Sequence, residues 1–266
     1  MARRGVPLSE PFHLWRTLVA QELAVRYRGT LLGRLWPLLL PLFMLGIYGF
    51  VFGVVFRARW PGMAGDDHFG FALNLFIGLL VHGLLAEVVG QAPALFQRNA
   101  NFVRKMVFPL PVLVAVPMGT ALFHASLGFG IVLLANGIFG SGLHLTVLAA
   151  PFVLLPYLMM LYGFALMVAA LGVYLRDLNQ VVGLLVMVAL FTSTVFFPAA
   201  MVPEALVDVV RFNPVSWPAE TLRNCLLHGQ WPAWGAWAGY TGVACLVMVV
   251  GWRMFAVLRR GFADLL

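Results

Sequence analysis

Residues 106–175, MVFPLPVLVAVPMGTALFHASLGFGIVLLANGIFGSGLHLTVLAAPFVLLPYLMMLYGFALMVAALGVYL, run without one Asp, Glu, Lys or Arg. No soluble fold has enough polar surface elsewhere to cover a stretch of this length. A helix crossing ~30 Å of hydrocarbon needs ~20 apolar residues, so there is room here for two crossings, about Val112 to Asn136 and about Leu145 to Leu171, with the turn at Gly137 to Gly142 between them. Leu178 to Pro203 and Asn224 to Trp252 are equally free of these charges.

Working outward, Leu35 to Phe56 and Phe69 to Val89 precede the central pair, and Val181 to Phe197 and Trp234 to Val257 follow it. The expected fold is therefore all-α, a polytopic membrane protein with six transmembrane helices. Pro37 and Pro41 fall inside the first span, where neighbouring helices can re-satisfy the freed backbone groups. Between the fifth and sixth spans, Pro198, Pro203, Pro214, Pro218 and Pro232 break the chain into pieces such as Glu204 to Phe212 and Ala219 to Leu227. Pieces this short read as re-entrant or interfacial helices at one face.

The bulk numbers agree with lipid as the solvent. Hydrophobic residues make up 62% of the 266 and charged ones 10%, with a mean hydropathy of +0.94, which excludes an ordinary soluble domain. The net charge of +7 comes from arginines at the ends of apolar runs. They form no basic stripe with interleaved aromatics, so anionic lipid headgroups rather than nucleic acid are the expected counterions. Trp36, Trp60, Trp231, Trp234, Trp237 and Trp252 sit near span ends, as an aromatic belt requires, and a minority of the aromatics could line a passage for sugars. Cys225 and Cys245 lack metal-ligand spacing and are read as structural. Arg3 and Arg4 are followed by no signal-like apolar segment, so the mature chain is expected to start at Met1.

Cytoplasmic loops accumulate Lys and Arg. With both termini inside, Arg3, Arg4, Arg16, Arg26, Arg28, Arg34, Arg98, Arg104, Lys105, Arg176, Arg253, Arg259 and Arg260 lie on the cytoplasmic side and only Arg57, Arg59, Arg211 and Arg223 outside, thirteen against four. The domain plan that follows has a cytoplasmic amphipathic segment over 1–34, a transmembrane domain over 35–257 with a re-entrant outer segment over 198–233, and a cytoplasmic tail over 258–266. In the first of these, Ser9 and Pro11 mark a helix start. Phe12, Trp15, Val19 and Leu23 recur at helical spacing opposite His13, Thr17 and Gln21, and Glu22 and Arg26 stand four apart as an ion pair. Such a helix is expected to lie in the interface with its stripe toward lipid or toward the bundle; a plain anchor helix is the simpler reading.

Titratable groups at membrane depth are few: His82, Glu87 and His124. A proton relay and interhelical hydrogen bonding are both open, and the five-residue offset of His82 from Glu87, which keeps them off one face, favours the latter. Ser126 stands too close in sequence to His124 to share a direction with it, so no nucleophile and base are paired. Asp66, Asp67 and His68 have no second acidic cluster and read as a solvated turn. The only lysine, Lys105, follows no phosphate-cradling glycine pattern. If ATP is used, another chain binds it.

Four stretches together resemble the membrane subunits of type-2 ABC exporters that move polysaccharides, the O-antigen and capsule exporters in particular. Arg26-Tyr27-Arg28-Gly29-Thr30-Leu31-Leu32-Gly33-Arg34-Leu35-Trp36, with Pro41 beyond, resembles the basic approach to the first span. Asn101-Phe102-Val103-Arg104-Lys105-Met106-Val107-Phe108-Pro109 is similar to the loop that carries the coupling helix. Tyr174-Leu175-Arg176-Asp177-Leu178 resembles the turn before the fifth span, and Val202-Pro203-Glu204 with Phe212-Asn213-Pro214 the re-entrant outer segment. Arg259-Arg260-Gly261-Phe262-Ala263, followed by Asp264, is similar to the tail. Pro37, Pro111 and Pro117 depart from the pattern and leave the starts of the first and third spans open.

The resemblance implies a transport subunit rather than an enzyme, in a bacterial inner membrane. Its implied partners are a second copy of itself, two copies of a cytoplasmic ATP-binding subunit that carries the ATP and Mg²⁺, and a lipid-linked polysaccharide; this chain itself is expected to hold no cofactor and no metal. It implies ATPase coupling through Asn101, Phe102, Arg104, Lys105, Phe108 and Pro109, whose charges could also serve only to fix orientation. Arg26, Tyr27, Arg28, Arg34 and Trp36 lie where a pyrophosphate-linked headgroup would approach, and guanidinium forks suit phosphate, although the arginines could equally be positive-inside anchors. Pro203, Glu204, Asn213 and Pro214 become the candidate outer gate. A drug or small-lipid permease is the nearest rival, and a polytopic enzyme acting on lipid-linked sugars a more distant one, since its clustered acids or nucleophile are missing.

Overall fold

The computed structural model describes residues 9–56, 68–100, 109–140 and 142–265, and among them every regular element is helical. In chain order they are α1 (Ser9–Tyr27), α2 (Trp36–Tyr48), α3 (His68–Gln91), α4 (Leu95–Arg98), α5 (Leu110–Phe139), α6 (Ala150–Tyr174), α7 (Leu178–Phe191), α8 (Val207–Phe212), α9 (Ser216–Leu227), α10 (Trp234–Leu258) and α11 (Phe262–Leu265). Short 3₁₀ turns extend several of them. Among the described residues, four helical stretches are long and apolar enough to cross a membrane: Phe69–Arg98, Leu110–Phe139, Leu145–Tyr174 and Trp234–Gly261. At a rise of ~1.5 Å per residue the first three reach ~45 Å.

The prolines sit where a helix tolerates them. Pro109 flanks α5 and Pro111 occupies its first turn, where no N–H is required. Pro117 is internal, and the Thr120 hydroxyl bonds its carbonyl at 2.9 Å. Pro218, which reads from sequence as a breaker, falls in the first turn of α9, so that helix starts at Ser216, before the expected Ala219. α2 carries Pro41 internally and passes into a π-helical turn at Gly49–Val55.

Buried Leu75, Ile77, Val81 and Val88 mark α3 as the central helix, and α2, α5, α6, α7 and α9 all pack against it. α1 lies on α5 and α10 on α6. Outward faces are apolar, with Leu42, Phe43 and Ile47 on α2, Leu184, Leu185 and Val188 on α7, and Leu246 and Val249 on α10 exposed. A soluble protein would not expose them.

Two differences from the sequence expectation matter. α7 ends at Phe191 instead of running to Phe197, because the chain turns inward at Thr192 and buries Ser193, Thr194 and Val195 completely or nearly so. Arg223, counted above among the outer charges, is 2% exposed and is no solvent-facing loop residue.

Candidate functional site

At one end of the bundle α1 docks against α5. Trp15 donates its ring N–H to the Ala115 carbonyl at 2.9 Å, and Gly119 leaves the space that Trp15 and Val19 fill. This part of the apolar stripe therefore faces the bundle, while Phe12 and Val25 are exposed. Arg26 and Tyr27, in the last turn of the helix, are thereby presented to α3 and α5.

There they meet two of the three groups singled out by depth. Arg26 Nη1 lies 2.6 Å from Glu87 Oε1, so its direct ion pair is across to α3 instead of along its own helix to Glu22. Glu87 Oε2 lies 3.0 Å from His124 Nδ1, and His124 Nε2 lies 2.7 Å from the Tyr27 hydroxyl. The Thr120 hydroxyl adds a bond of 3.3 Å to Glu87 Oε1. Because Arg26 and Tyr27 are neighbours, the contacts close a ring through α1, α3, α5 and back. With neutral His124, an Nδ1–H donated to the carboxylate leaves Nε2 to accept the tyrosine proton. Burial works to lower the pKa of Arg26, but the hydrogen bond and charge of Glu87 prevail and hold it above the usual arginine value. Burial raises the pKa of Tyr27 and that of Glu22, where Arg26 opposes it. His82 stands apart, bonding the Val186 carbonyl on α7 at 3.0 Å. Ser126 turns to the Phe123 carbonyl, away from His124.

The ring forms one end of a cavity of about 420 Å³, whose remaining wall comes from Pro37, Leu40, Pro41 and Met44 of α2 and from Phe76 and Leu80 of α3. Of the predicted headgroup residues, Arg26 and Tyr27 line it. Arg28 is exposed and Trp36 half-buried, and neither lines the cavity; nothing is described of the Arg34 side chain. Sequence reasoning considered Glu87 and His124 without joining them to Arg26. Glu87 lies near the C-terminal end of α3 and His124 in the first half of α5, the antiparallel helix that follows it, which is the signal that would have paired them.

The other end of α3, ~20 Å away by the thirteen-residue rise from Asn74 to Glu87, holds the proline-broken segment. Arg223 Nε bonds the Asn74 carbonyl at 2.7 Å, Nη1 that of Thr194 at 2.6 Å and Nη2 that of Val195 at 2.8 Å. Asn213 bonds the Ala189 carbonyl at 2.8 Å and the Thr192 hydroxyl at 2.9 Å, and Tyr240 donates to the Pro214 carbonyl at 2.8 Å. Asn136 and Thr146 bond the Leu226 and Cys225 carbonyls at the C-terminus of α9, two of the acceptors a helix leaves unpaired. Asn213 and Pro214 of the candidate gate are thus tied into the protein, whereas Glu204 is exposed and Pro203 borders a separate cavity of about 430 Å³ with Phe191 and Phe197.

Asn101, Phe102, Arg104, Lys105 and Phe108 lie outside the described residues, as do Asp66 and Asp67; Pro109 is exposed at the start of α5. The helix leading to that stretch is well anchored. Phe96 of α4 meets Phe262 at 5.2 Å and Phe255 at 5.9 Å between ring centroids. Gln97 bonds the Gly172 carbonyl at 2.8 Å, and Tyr174 bonds that of Leu258 at 2.8 Å.

A helical bundle with apolar outer faces, several membrane-length helices and a polar ring opening into an apolar cavity defines a multi-pass membrane protein. Residues 13–227 match the model of the ABC-2 type transporter family, and the chain belongs to that family as a transport subunit. It is 24% identical over 260 residues to an O-antigen export system permease protein RfbA of Klebsiella pneumoniae, covering 96% of this chain and 95% of that protein. It is also 28% identical over 188 residues to the protein of the same name from Myxococcus xanthus, covering 71% and 69%.

Proposed function

We propose that this chain is the transmembrane subunit of an ATP-driven exporter that moves an O-antigen-like, lipid-linked polysaccharide across a bacterial inner membrane. The observation that carries the reading is similarity along nearly the full length of both chains to a protein named as an O-antigen export permease. Two copies of this subunit would surround the passage, since a small bundle encloses a wide route more readily about a two-fold axis, and two copies of a cytoplasmic partner would bind ATP and Mg²⁺.

In this reading the chain crosses six times with both termini in the cytoplasm. The apolar helices Trp36–Phe52 and Leu178–Phe191 supply the two shorter crossings. The fifth is completed by the non-helical residues 192–197, which is compatible with membrane depth only because protein surrounds them. Residues Asn101 to Pro109 dock on the ATPase through Asn101, Phe102, Arg104 and Lys105, with Phe108 and Pro109 leading into α5. Arg26 and Tyr27 meet the anionic headgroup, with Arg28, Arg34 and Trp36 flanking the approach, and the segment around Pro203, Glu204, Asn213 and Pro214 guards the outer exit.

Reconstitution of the chain with its ATPase and a labelled lipid-linked oligosaccharide tests this directly, with ATP-dependent delivery of the label across the bilayer as the expected result. Arg104→Glu combined with Lys105→Glu is expected to leave insertion intact and abolish co-purification of the ATPase. A chain that delivers no label, or a charge-reversed variant that still retains the ATPase, would overturn the cargo or the coupling assignment respectively.

A further inference from the structure

We propose that Glu87 is a built-in substitute for the phosphate of an anionic lipid, so that the binding site is the whole ring, with Glu87 and His124 as specificity-determining members alongside Arg26 and Tyr27. This deepens the reading of Arg26 as a headgroup ligand and rests on it.

The cavity is amphipathic along its length. One end presents Arg26, Tyr27, Glu87 and His124, and the rest is alkyl and aromatic wall from Leu40, Met44 and Phe76. A free phosphate would gain nothing from that wall, whereas the first part of a lipid chain attached to a phosphate fills it. The occupant is therefore a phosphate-headed lipid.

Within the ring the two charges are unequally placed. The Arg26 side chain is 35% exposed and that of Glu87 17%, so the guanidinium is the more accessible of the two charges. The ion pair engages one terminal nitrogen of a fork that carries five N–H groups in total. Glu87 has other support from His124 Nδ1, with the Thr120 hydroxyl, whose one proton is shared with the Pro117 carbonyl, 3.3 Å away, so it is not left bare when Arg26 turns to a second oxyanion. Arg26 thus exchanges one acidic partner for another. That exchange is far less costly than removing a buried cation from its only partner. Tyr27 keeps its bond to His124, and α1 stays in place while its link to α3 is traded for one to the lipid.

The prediction is competition. The full-length chain in nanodiscs is titrated with a long-chain isoprenoid diphosphate, with inorganic pyrophosphate, and with phosphatidylglycerol as a membrane anion lacking the terminal phosphate. Glu87→Gln removes the competing charge and is expected to tighten binding of the isoprenoid diphosphate about tenfold, with a much weaker response to inorganic pyrophosphate. Arg26→Gln is expected to abolish binding with either residue at 87. If Glu87→Gln fails to insert, Glu87→Asp, which withdraws the carboxylate by one methylene, is expected to tighten binding by a smaller factor. Unchanged or weakened binding in the Glu87 variant, with Arg26→Gln still inactive, would sink the substitution idea and leave the headgroup reading standing. Undiminished binding in Arg26→Gln would remove that reading itself. Equal tightening for inorganic pyrophosphate would overturn the assignment to a lipid, whereas equal tightening for phosphatidylglycerol, whose headgroup is a phosphodiester, would support the exchange at Arg26 and widen the occupant to any phosphate-bearing membrane lipid.

Discussion

A guanidinium presents its N–H groups in a fixed fork, and at Arg223 three of them end on main-chain carbonyls, those of Asn74, Thr194 and Val195. Two of these carbonyls belong to the stretch where α7 has ended and the backbone no longer satisfies itself. The Thr194 N–H goes to the Ser216 hydroxyl at 3.3 Å and the Val195 N–H to that of Ser193 at 3.4 Å. The residue thus does what water does at an ordinary helix end, in a place the protein keeps dry. An unpartnered buried polar group costs about 1–3 kcal/mol, so Arg223→Met is expected to lose about 3 kcal/mol or more of stability, seen as aggregation at lower temperature in detergent. Arg223→Lys should fall between, since one ammonium cannot reach three divergent acceptors, and Arg211→Met, at an exposed position, should match the parent. A stable Arg223→Met variant would show that the tie is dispensable. Nothing in the sequence pointed to this role. A lone arginine in a proline-rich segment reads as a loop charge, and its partner Asn74 lies 149 residues away.

Among the elements, the long helices were legible because an uncharged run of membrane length has few other outcomes, and α3, α5, α6 and α10 occupy the expected stretches. The end of α7 was not, since Phe196 and Phe197 continue the apolar pattern past the point where the chain turns inward. The placement of α1 was legible only in part. Its apolar spacing gave a helix with two possible neighbours, and the choice between lipid and bundle lies in Gly119, on another helix. A Cβ at that position would sit 2.5 Å from Val19 Cγ2 and 2.8 Å from Trp15 Cζ2. Gly119→Val is therefore expected to push α1 off its seat at an overpacking cost of about 1–3 kcal/mol. Limited proteolysis should then cut within residues 9–27 sooner, while the melting of the remaining bundle changes little. Unaltered cleavage would mean that the Trp15 contact does not hold the helix. The same reasoning covers Arg26: its attraction to Glu87 was hidden by Glu22 four residues earlier, a local partner that the docked geometry passes over.

For the molecule as a whole, two signatures far apart in sequence, the turn at Tyr174 and the tail at Phe262, meet beside α4 at one end of the bundle. The tail packs Phe262 against Phe96 of α4 and Phe255 of α10, and Tyr174, before the turn into α7, lies 6.3 Å from the same ring. The turn at Tyr174 and the tail were each recognisable as a short motif, but their assembly with Phe96 and Phe255 is a tertiary fact that no window of sequence carries. The mechanical consequence concerns α4, the last helix before residues 101–108. If that stretch receives the stroke of an ATPase, force passes to the bundle through α4, and a loose joint at Phe96 would waste it. Phe262 is 1% exposed, and truncating a buried phenylalanine costs about 3–5 kcal/mol, here concentrated on a four-residue helix and a four-residue tail. Phe262→Ala is accordingly expected to insert and to retain the ATPase on purification, yet to export labelled oligosaccharide several-fold more slowly per ATP hydrolysed. Arg259→Gln with Arg260→Gln changes the charge of the tail and leaves the ring cluster alone, so it should preserve that ratio. Loss of ATPase binding in Phe262→Ala would instead make the tail part of the docking surface, and an unchanged ratio of export to hydrolysis would show that α4 transmits force without the aromatic clamp.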